Sequence, residues 1–139
     1  MSQTNPSNAL DVRDCIEPAS RTAGATNGAA IDCRGFEYAM FIVASGTNQA
    51  TGTLDCKIQE SSDNAVSDAY ADVTGATFTQ ITTANDTAVR VCQVRLHGRE
   101  RYLRMVGTVA TAACIYGGYV VLSGHEVDAD QTVSFDSVV

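Results

Sequence analysis

Alternation of apolar and polar residues is the feature that most constrains this chain. In residues 52–61, GTLDCKIQES, the side chains of Leu54, Cys56 and Ile58 are each separated by one polar residue. A period of two places these three side chains on one face of an extended strand. The segment therefore predicts a half-buried β-strand.

Similar signals recur along the chain. Residues 36–45, FEYAMFIVAS, form a nearly continuous apolar run and predict a central strand. Lasting helical periodicity is missing, and the many Thr and Val residues suit a pleated sheet. Other strand-like segments are residues 10–16, 29–33, 76–82, 88–98, 101–109 and 114–124. Together they predict an all-β fold, a β-sandwich or jelly roll of about seven or eight short antiparallel strands.

The length of 139 residues suits a single domain. We assign residues 29–124 to the β-sandwich domain. Residues 1–28 are polar and contain both prolines, and residues 125–139 are acidic with alternating Val and Phe. Both ends are expected to be extended arms that lie along the domain or reach a neighbour. The start has no basic and apolar signal segment, so synthesis in the cytosol is expected.

Charge limits the classes of partner. The formal net charge is −7, whereas binding to nucleic acid needs a basic face. No run of 18 apolar residues occurs, so no bilayer-spanning segment is predicted. Neither nucleic acid nor a membrane is an expected partner.

The five cysteines are irregularly spaced and include no CxxC pair, which makes a zinc site a weak hypothesis. We expect most of them to be free thiols in core or half-core positions. One disulfide among them is the alternative that the sequence leaves open.

An acidic stretch at residues 53–75 is the first candidate for chemistry. An EF-hand loop starting at Asp63 fails, because the sixth position is Asp68 rather than Gly and the twelfth is Thr74 rather than Glu. A looser calcium site from Asp63, Asp68 and Asp72 is the alternative. The favoured interpretation is a strand, a polar loop and a second strand, since Asp and Asn suit turns.

No set of catalytic residues is evident. Paired acids of a glycosidase would be expected beside an aromatic platform, and the chain has no Trp. His97 is predicted to lie in a turn, and His125 follows the last strand without a GxSxG nucleophile motif in the chain. The sequence therefore predicts a protein that is not an enzyme and has no cofactor or metal site.

Arginines are concentrated between residues 90 and 104, which is unusual in an acidic chain. They either pair with carboxylates of their own domain or form a docking edge for an acidic partner surface. The sequence leaves both interpretations open. With two apolar residues of the C-terminal arm, the candidate contact residues are Arg95, Arg99, Arg101, Arg104, Val133 and Phe135.

The order of short motifs adds a resemblance. RTAGATNGAAIDCRGFEYAMFIVASG, GTLDCKIQESSDN, YADVTGATFTQIT, VRLHGRERYLRMVGTV and GGYVVLSG follow one another within residues 21–124. This succession resembles small structural proteins of tailed bacteriophages and prophages, of the head decoration (cement) type. Cysteines at 33, 56 and 92 depart from the aliphatic residues that are more usual in that pattern.

The resemblance implies a virion structural protein with a β-sandwich core. Such a protein attaches to the outside of an assembled capsid, often as a trimer, after assembly in the host cytoplasm. Its partner would be the major capsid protein, whose neighbouring subunits it would bridge. The alternative function is a tail-associated or capsid-surface adhesion module that binds a host carbohydrate or receptor.

Overall fold

The computed structural model describes residues 9–124, and all of its regular elements are β-strands. The strands are β1 (Leu10–Arg21), β2 (Gly24–Asn27), β3 (Ile31–Asp32), β4 (Tyr38–Ser45), β5 (Thr53–Ser61), β6 (Ala71–Thr77), β7 (Ile81–Thr82), β8 (Val89–Arg95), β9 (Tyr102–Ala110) and β10 (Cys114–Ser123). Residues 9–124 contain no helix long and apolar enough to cross a bilayer.

The strands form two antiparallel sheets. Sheet A has the order β1-β10-β4-β8, and sheet B has the order β2-β9-β5-β6, with the two-residue strands β3 and β7 beside β9 and β5. Most connections between the long strands cross from one sheet to the other, so the order follows the jelly-roll pattern. The all-β sandwich predicted from the sequence is confirmed.

The strand predicted at residues 10–16 forms the first part of β1. Residues 10–27, which were also assigned above to an extended N-terminal arm, contain β1 and β2 of the sandwich. β1 pairs with β10 from Leu10↔Ser123 to Arg21↔Cys114, and β2 pairs with β9. β1 is an edge strand with register shifts between Asp14 and Ala19, and an irregular edge tolerates a proline such as Pro18. Residues 1–8 and the predicted C-terminal arm, residues 125–139, lie outside the described residues.

The strand predicted at residues 76–82 is in fact two short strands. β6 ends at Thr77 and β7 begins at Ile81. Between them Phe78 is buried, and its backbone N–H donates to the Cys56 carbonyl at 3.0 Å. Residues 78–80 therefore interrupt the predicted strand, and the Phe78 side chain packs into the core.

The core lies between the sheets. In β5 the side chains of Leu54, Cys56 and Ile58 are buried, as the alternation predicted. Two adjacent glycines of β10, Gly117 and Gly118, lie where other residues approach the backbone closely. A Cβ at Gly118 would lie 2.6 Å from the Met105 sulfur of the opposite sheet. Such a separation leaves no room for a larger residue at position 118.

Candidate interaction surfaces

The predicted arginine cluster lies on the β8–β9 connection. Because β8 belongs to sheet A and β9 to sheet B, the arginines do not share one face. Arg95 ends β8, Arg99 and Arg101 lie in the connection, and Arg104 follows in β9. Sequence proximity therefore overstates how closely these side chains group in space.

Arg101 and Arg104 are engaged by their own domain. Arg101 donates from Nε and Nη2 to the two carboxylate oxygens of Asp32, at 3.1 and 2.8 Å. These hydrogen bonds hold the pKa of Asp32 below its usual value. Arg104 donates twice to Oε1 of Gln59, and its guanidinium lies 4.1 Å from the centroid of the Tyr70 ring. Intradomain pairing thus accounts for these two arginines.

Arg99 is only partly engaged. Its Nη1 lies 3.4 Å from Oε1 of Glu60, a long ion pair at the surface. The other oxygen of Glu60 accepts the backbone N–H of Glu100 at 3.0 Å. Arg95 is exposed and has no ion pair with any residue in 9–124. These two cations therefore have donor capacity left for a partner.

Arg95 and Arg99 line an open cleft of about 360 Å³ between β6 and β8. β6 ends one sheet and β8 ends the other, so two edge strands border the cleft. The remaining lining residues are Val73, Thr74, Gly75, Ala76, Cys92, Gln93 and Val94. An edge strand presents unpaired N–H and C=O groups, which can pair with an extended segment of another chain. This cleft combines such edges with positive charge.

The acidic stretch is organised by hydrogen bonds within its own loop. The carboxylate of Asp63 accepts the N–H groups of Val66, Ser67 and Asp68, as well as the Ser67 hydroxyl at 2.6 Å. The carboxylate of Asp68 accepts the N–H and the hydroxyl of Ser62. These bonds hold the pKa of Asp63 below its usual value, chiefly through the Ser67 hydroxyl. The carboxylates therefore act as turn-forming groups.

Chemistry-bearing side chains are otherwise dispersed in the described part of the chain. No three His, Cys, Asp or Glu side chains within residues 9–124 lie close enough to share a metal ion. His97 lies in the turn after β8, as the sequence predicted, and His125 lies outside the described residues.

All five cysteines are free thiols, and four of them are buried. Burial raises the pKa of Cys15, Cys33 and Cys56 to about 12. A thiol with such a pKa is almost entirely protonated near neutral pH and is a poor nucleophile. The prediction that the cysteines fill core and half-core positions is confirmed, with Cys92 as the half-buried member.

The two outer faces of the sandwich differ in polarity. The outer face of sheet B is polar, and its side chains bond to one another. Lys57 Nζ lies 2.8 Å from Oδ2 of Asp72, whose other oxygen accepts from Gln59 at 2.7 Å. Farther along, Gln80 Nε2 donates to Asp55 at 2.9 Å. Such a face is well suited to water.

The outer face of sheet A is largely apolar. Register and alternation place six apolar side chains of β4, β8 and β10 side by side on it, namely Met40, Ile42, Val89, Val91, Tyr119 and Val121. Val89 is 62% exposed and Val91 is 54% exposed. No element within residues 9–124 forms a layer over this face.

Sequence reasoning did not identify this surface. Its signal was the continuous apolar run at residues 36–45, which resembles a strand that is buried on both faces. In a two-layer sandwich each sheet has only one inner face, so such a run leaves apolar side chains outside.

Comparison with known proteins defines the fold and no more. No protein-family model matches the chain, and no curated protein matches it. Among solved structures, the SPBc2 prophage-derived protein YomS is similar with a TM-score of 0.51 and 12% identity, over 81% of this chain and 92% of that one.

A chain in the structure of infectious bursal disease virus Gx strain is similar with a TM-score of 0.54 and 7% identity, over 84% of this chain. This protein spans only 33% of that viral chain. A chain from the structure of Bacillus endospore appendages, which form disulfide-linked pili, has 15% identity but a TM-score of 0.43, too low to carry an argument. The first two comparisons indicate a shared β-sandwich.

Proposed function

We propose that this protein is a non-enzymatic structural protein of a virion, which decorates the outside of an assembled tailed-phage capsid and bridges neighbouring subunits of the major capsid protein. The motif order in residues 21–124 supports a phage structural protein. The likeness of its sandwich to a prophage-derived protein and to a chain of a virus is consistent with that origin. A shared fold alone does not assign a function, so the proposal also needs a surface on this protein that can bind a capsid subunit.

The observation that carries the proposal is the cleft between β6 and β8 with Arg95 and Arg99. The net charge of −7 repels an acidic partner from most of the surface, whereas two incompletely paired arginines attract one here. Arginine suits this role because its planar fork binds a carboxylate through two hydrogen bonds. An extended, acidic segment of a capsid subunit is the partner that fits.

Decoration stabilises a shell when its contacts exist only in the assembled state. Binding to that state and not to free subunits shifts the equilibrium by mass action. A homo-oligomer that engages several subunits at once strengthens individually weak contacts by raising their effective concentration. Val133 and Phe135, outside the described residues, complete the proposed set of contacts.

The direct test adds purified protein to expanded, undecorated heads assembled from the capsid protein encoded in the same genome. We expect saturable binding and a higher temperature of head rupture. Arg95→Gln with Arg99→Gln is expected to weaken binding at least about tenfold at low salt, and the difference is expected to shrink in high salt.

Arg104→Gln is the matched control, since Arg104 is already bonded to Gln59 and stacked on Tyr70. Loss of one arginine there is expected to leave head binding unchanged. The decoration proposal is overturned if wild-type protein does not bind the heads. Equal binding by the Arg95/Arg99 variant would instead overturn the assignment of the cleft.

A further inference from the structure

The outer face of sheet A holds a continuous apolar surface that the proposed capsid contact does not use. One row across the sheet runs Tyr119, Ile42 and Val91 on adjacent strands. The next row along the strands contains Val121 and Met40 and ends at the polar Gln93 of β8. Because neighbouring strands lie about 4.8 Å apart, these side chains are direct cross-strand neighbours and form one patch rather than scattered positions.

Exposure on this face is concentrated rather than general. Within residues 9–124 the large exposed hydrophobic side chains are Val66, Val89, Val91 and Ile115. Val66 lies in the β5–β6 loop, whereas the other three lie on sheet A. Ile115 faces outward because it alternates with the buried Cys114 and Tyr116. Contiguous exposed apolar patches of this kind mark interaction sites in soluble proteins.

We infer that the outer face of sheet A binds the same face of a second copy of this chain, so that two sandwiches pack sheet against sheet. Face-to-face sheets pack about 10 Å apart with interdigitated side chains, which suits the Val, Ile and Met side chains present here. A two-fold pair uses one patch twice and needs no second complementary surface.

Charge favours a second copy as the occupant. The chain carries −7 overall, so two copies repel each other through most of their surfaces. On sheet A the row of Ile42 ends at Asp14 of β1, and the strand β8 ends at Arg95. These two charges are opposite in sign and lie at the two edges of the sheet, and the six apolar side chains between them carry no charge, so the apolar patch itself adds no repulsion when two copies approach.

The available area suffices for a specific contact. Four strands at about 4.8 Å spacing and roughly eight residues in length give a face of roughly 500 Å². Two copies would then bury roughly 1,000 Å², near the lower limit for a specific protein–protein interface. An interface of this size predicts a dimer whose population depends on the protein concentration.

The test is the molar mass of the full-length protein in free solution, measured by light scattering after size-exclusion chromatography over a range of concentrations. We expect a dimer that dissociates on dilution. Val89→Glu combined with Val91→Glu is expected to give a monomer, since four carboxylates would enter an apolar interface. Val66→Glu changes a valine in the β5–β6 loop that is more exposed, at 85%, and the variant is expected to remain dimeric.

A milder variant distinguishes loss of the dimer from loss of the fold. Val91→Thr keeps the β-branched shape and should retain the circular dichroism spectrum, while weakening the dimer several-fold. A monomeric wild-type protein would overturn the inference. The face would then have another occupant, either residues 125–139 of the same chain or a capsid subunit. A trimer, or a dimer unaffected by the Val89 and Val91 substitutions, would also overturn it. No heads are present in this experiment, so its outcome is independent of the decoration test.

Discussion

Gly107 of β9 lies against the ring of Tyr116 of β10, in the space between the two sheets. A Cβ at position 107 would lie 2.7 Å from Cε2 and 2.8 Å from Cζ of that ring. Tyr116 is 1% exposed, so the core encloses its side chain. The largest side chain of the core therefore fits only because its neighbour across the sheets has none.

The first prediction concerns this pair. Gly107→Ala is expected to lower the free energy of unfolding by about 1–3 kcal/mol, because an extra methyl in a packed core forces its neighbours to shift. Thr108→Ala alters the adjacent exposed position and is expected to change the free energy of unfolding by less than about 0.5 kcal/mol. Urea unfolding followed by circular dichroism measures both. Equal stability of the two variants would contradict the packing described here.

A second prediction follows from the buried ion pair of Asp11 and Arg13. The side chain of Asp11 is fully buried, and Arg13 donates to it from Nε at 2.9 Å and from Nη2 at 2.5 Å. Arg13→Met removes the counter-charge and is expected to cost about 3–5 kcal/mol of unfolding free energy.

The double variant Asp11→Asn/Arg13→Met tests the cause of that loss. Removing the carboxylate charge as well is expected to recover at least about 1 kcal/mol, as a double-mutant cycle would show. If the double variant is no more stable than Arg13→Met alone, the loss at Arg13 comes from its packing and not from an unpaired charge.

Alkaline pH is the third test. The pKa of Cys15, Cys33 and Cys56 is about 12 in the folded protein because the thiols are buried, whereas an exposed thiol has a pKa near 8.5. Below pH 8.5 the thiol is protonated in both states, and its contribution to stability is fully present. Above that pH only the unfolded state loses the proton, so stability falls until about pH 12.

Each buried thiol is therefore expected to reduce the unfolding free energy by about 2 kcal/mol between pH 8 and pH 10. Cys15→Ala should reduce the loss of unfolding free energy between pH 8 and pH 10 by the amount that one thiol contributes. This difference does not depend on how much the substitution changes stability at pH 7. Cys92→Ala, at a half-buried position, should lower it less. Identical pH dependence in wild type and Cys15→Ala would rule out this cause.

The fourth prediction addresses the acidic loop. Asp63→Ala removes the acceptor of three backbone N–H groups and of the Ser67 hydroxyl, so residues 62–70 should be cleaved several-fold faster by a nonspecific protease. Glu17→Ala, at an exposed position of β1, is the control and should not change the cleavage rate. Because the pKa of Asp63 is lowered, the wild-type loop should loosen only at pH values below the usual range for a carboxyl.

Local pattern was enough to predict the strands whose alternation is clear. Leu54, Cys56 and Ile58 are buried as predicted, because burial on one face of a strand imposes period two on the sequence. The continuous apolar run at residues 36–45 predicted β4, and residues 114–124 were predicted to be the strand that is β10. These elements carry their signal within about ten residues.

Features that depend on distant partners were harder to predict. β1 continues past Pro18 to Arg21 because β10, about a hundred residues later, pairs with it. Nothing within residues 17–27 reports that partner. Likewise, the arginines are neighbours in sequence, but the crossing of the chain between sheets separates Arg95 from Arg104. Tertiary context decides such positions.

The pairing of Leu10 with Ser123 sets when this protein can fold during its synthesis. In sheet A, β10 lies between β1 and β4 and pairs with both. The sheet therefore cannot be completed until β10 has left the ribosome. Contacts between residues so far apart in sequence slow folding, which for all-β domains takes milliseconds to seconds. The nascent chain therefore carries unpaired apolar strands until β10 has emerged, and we expect its yield to depend on chaperones and temperature more than its final stability does.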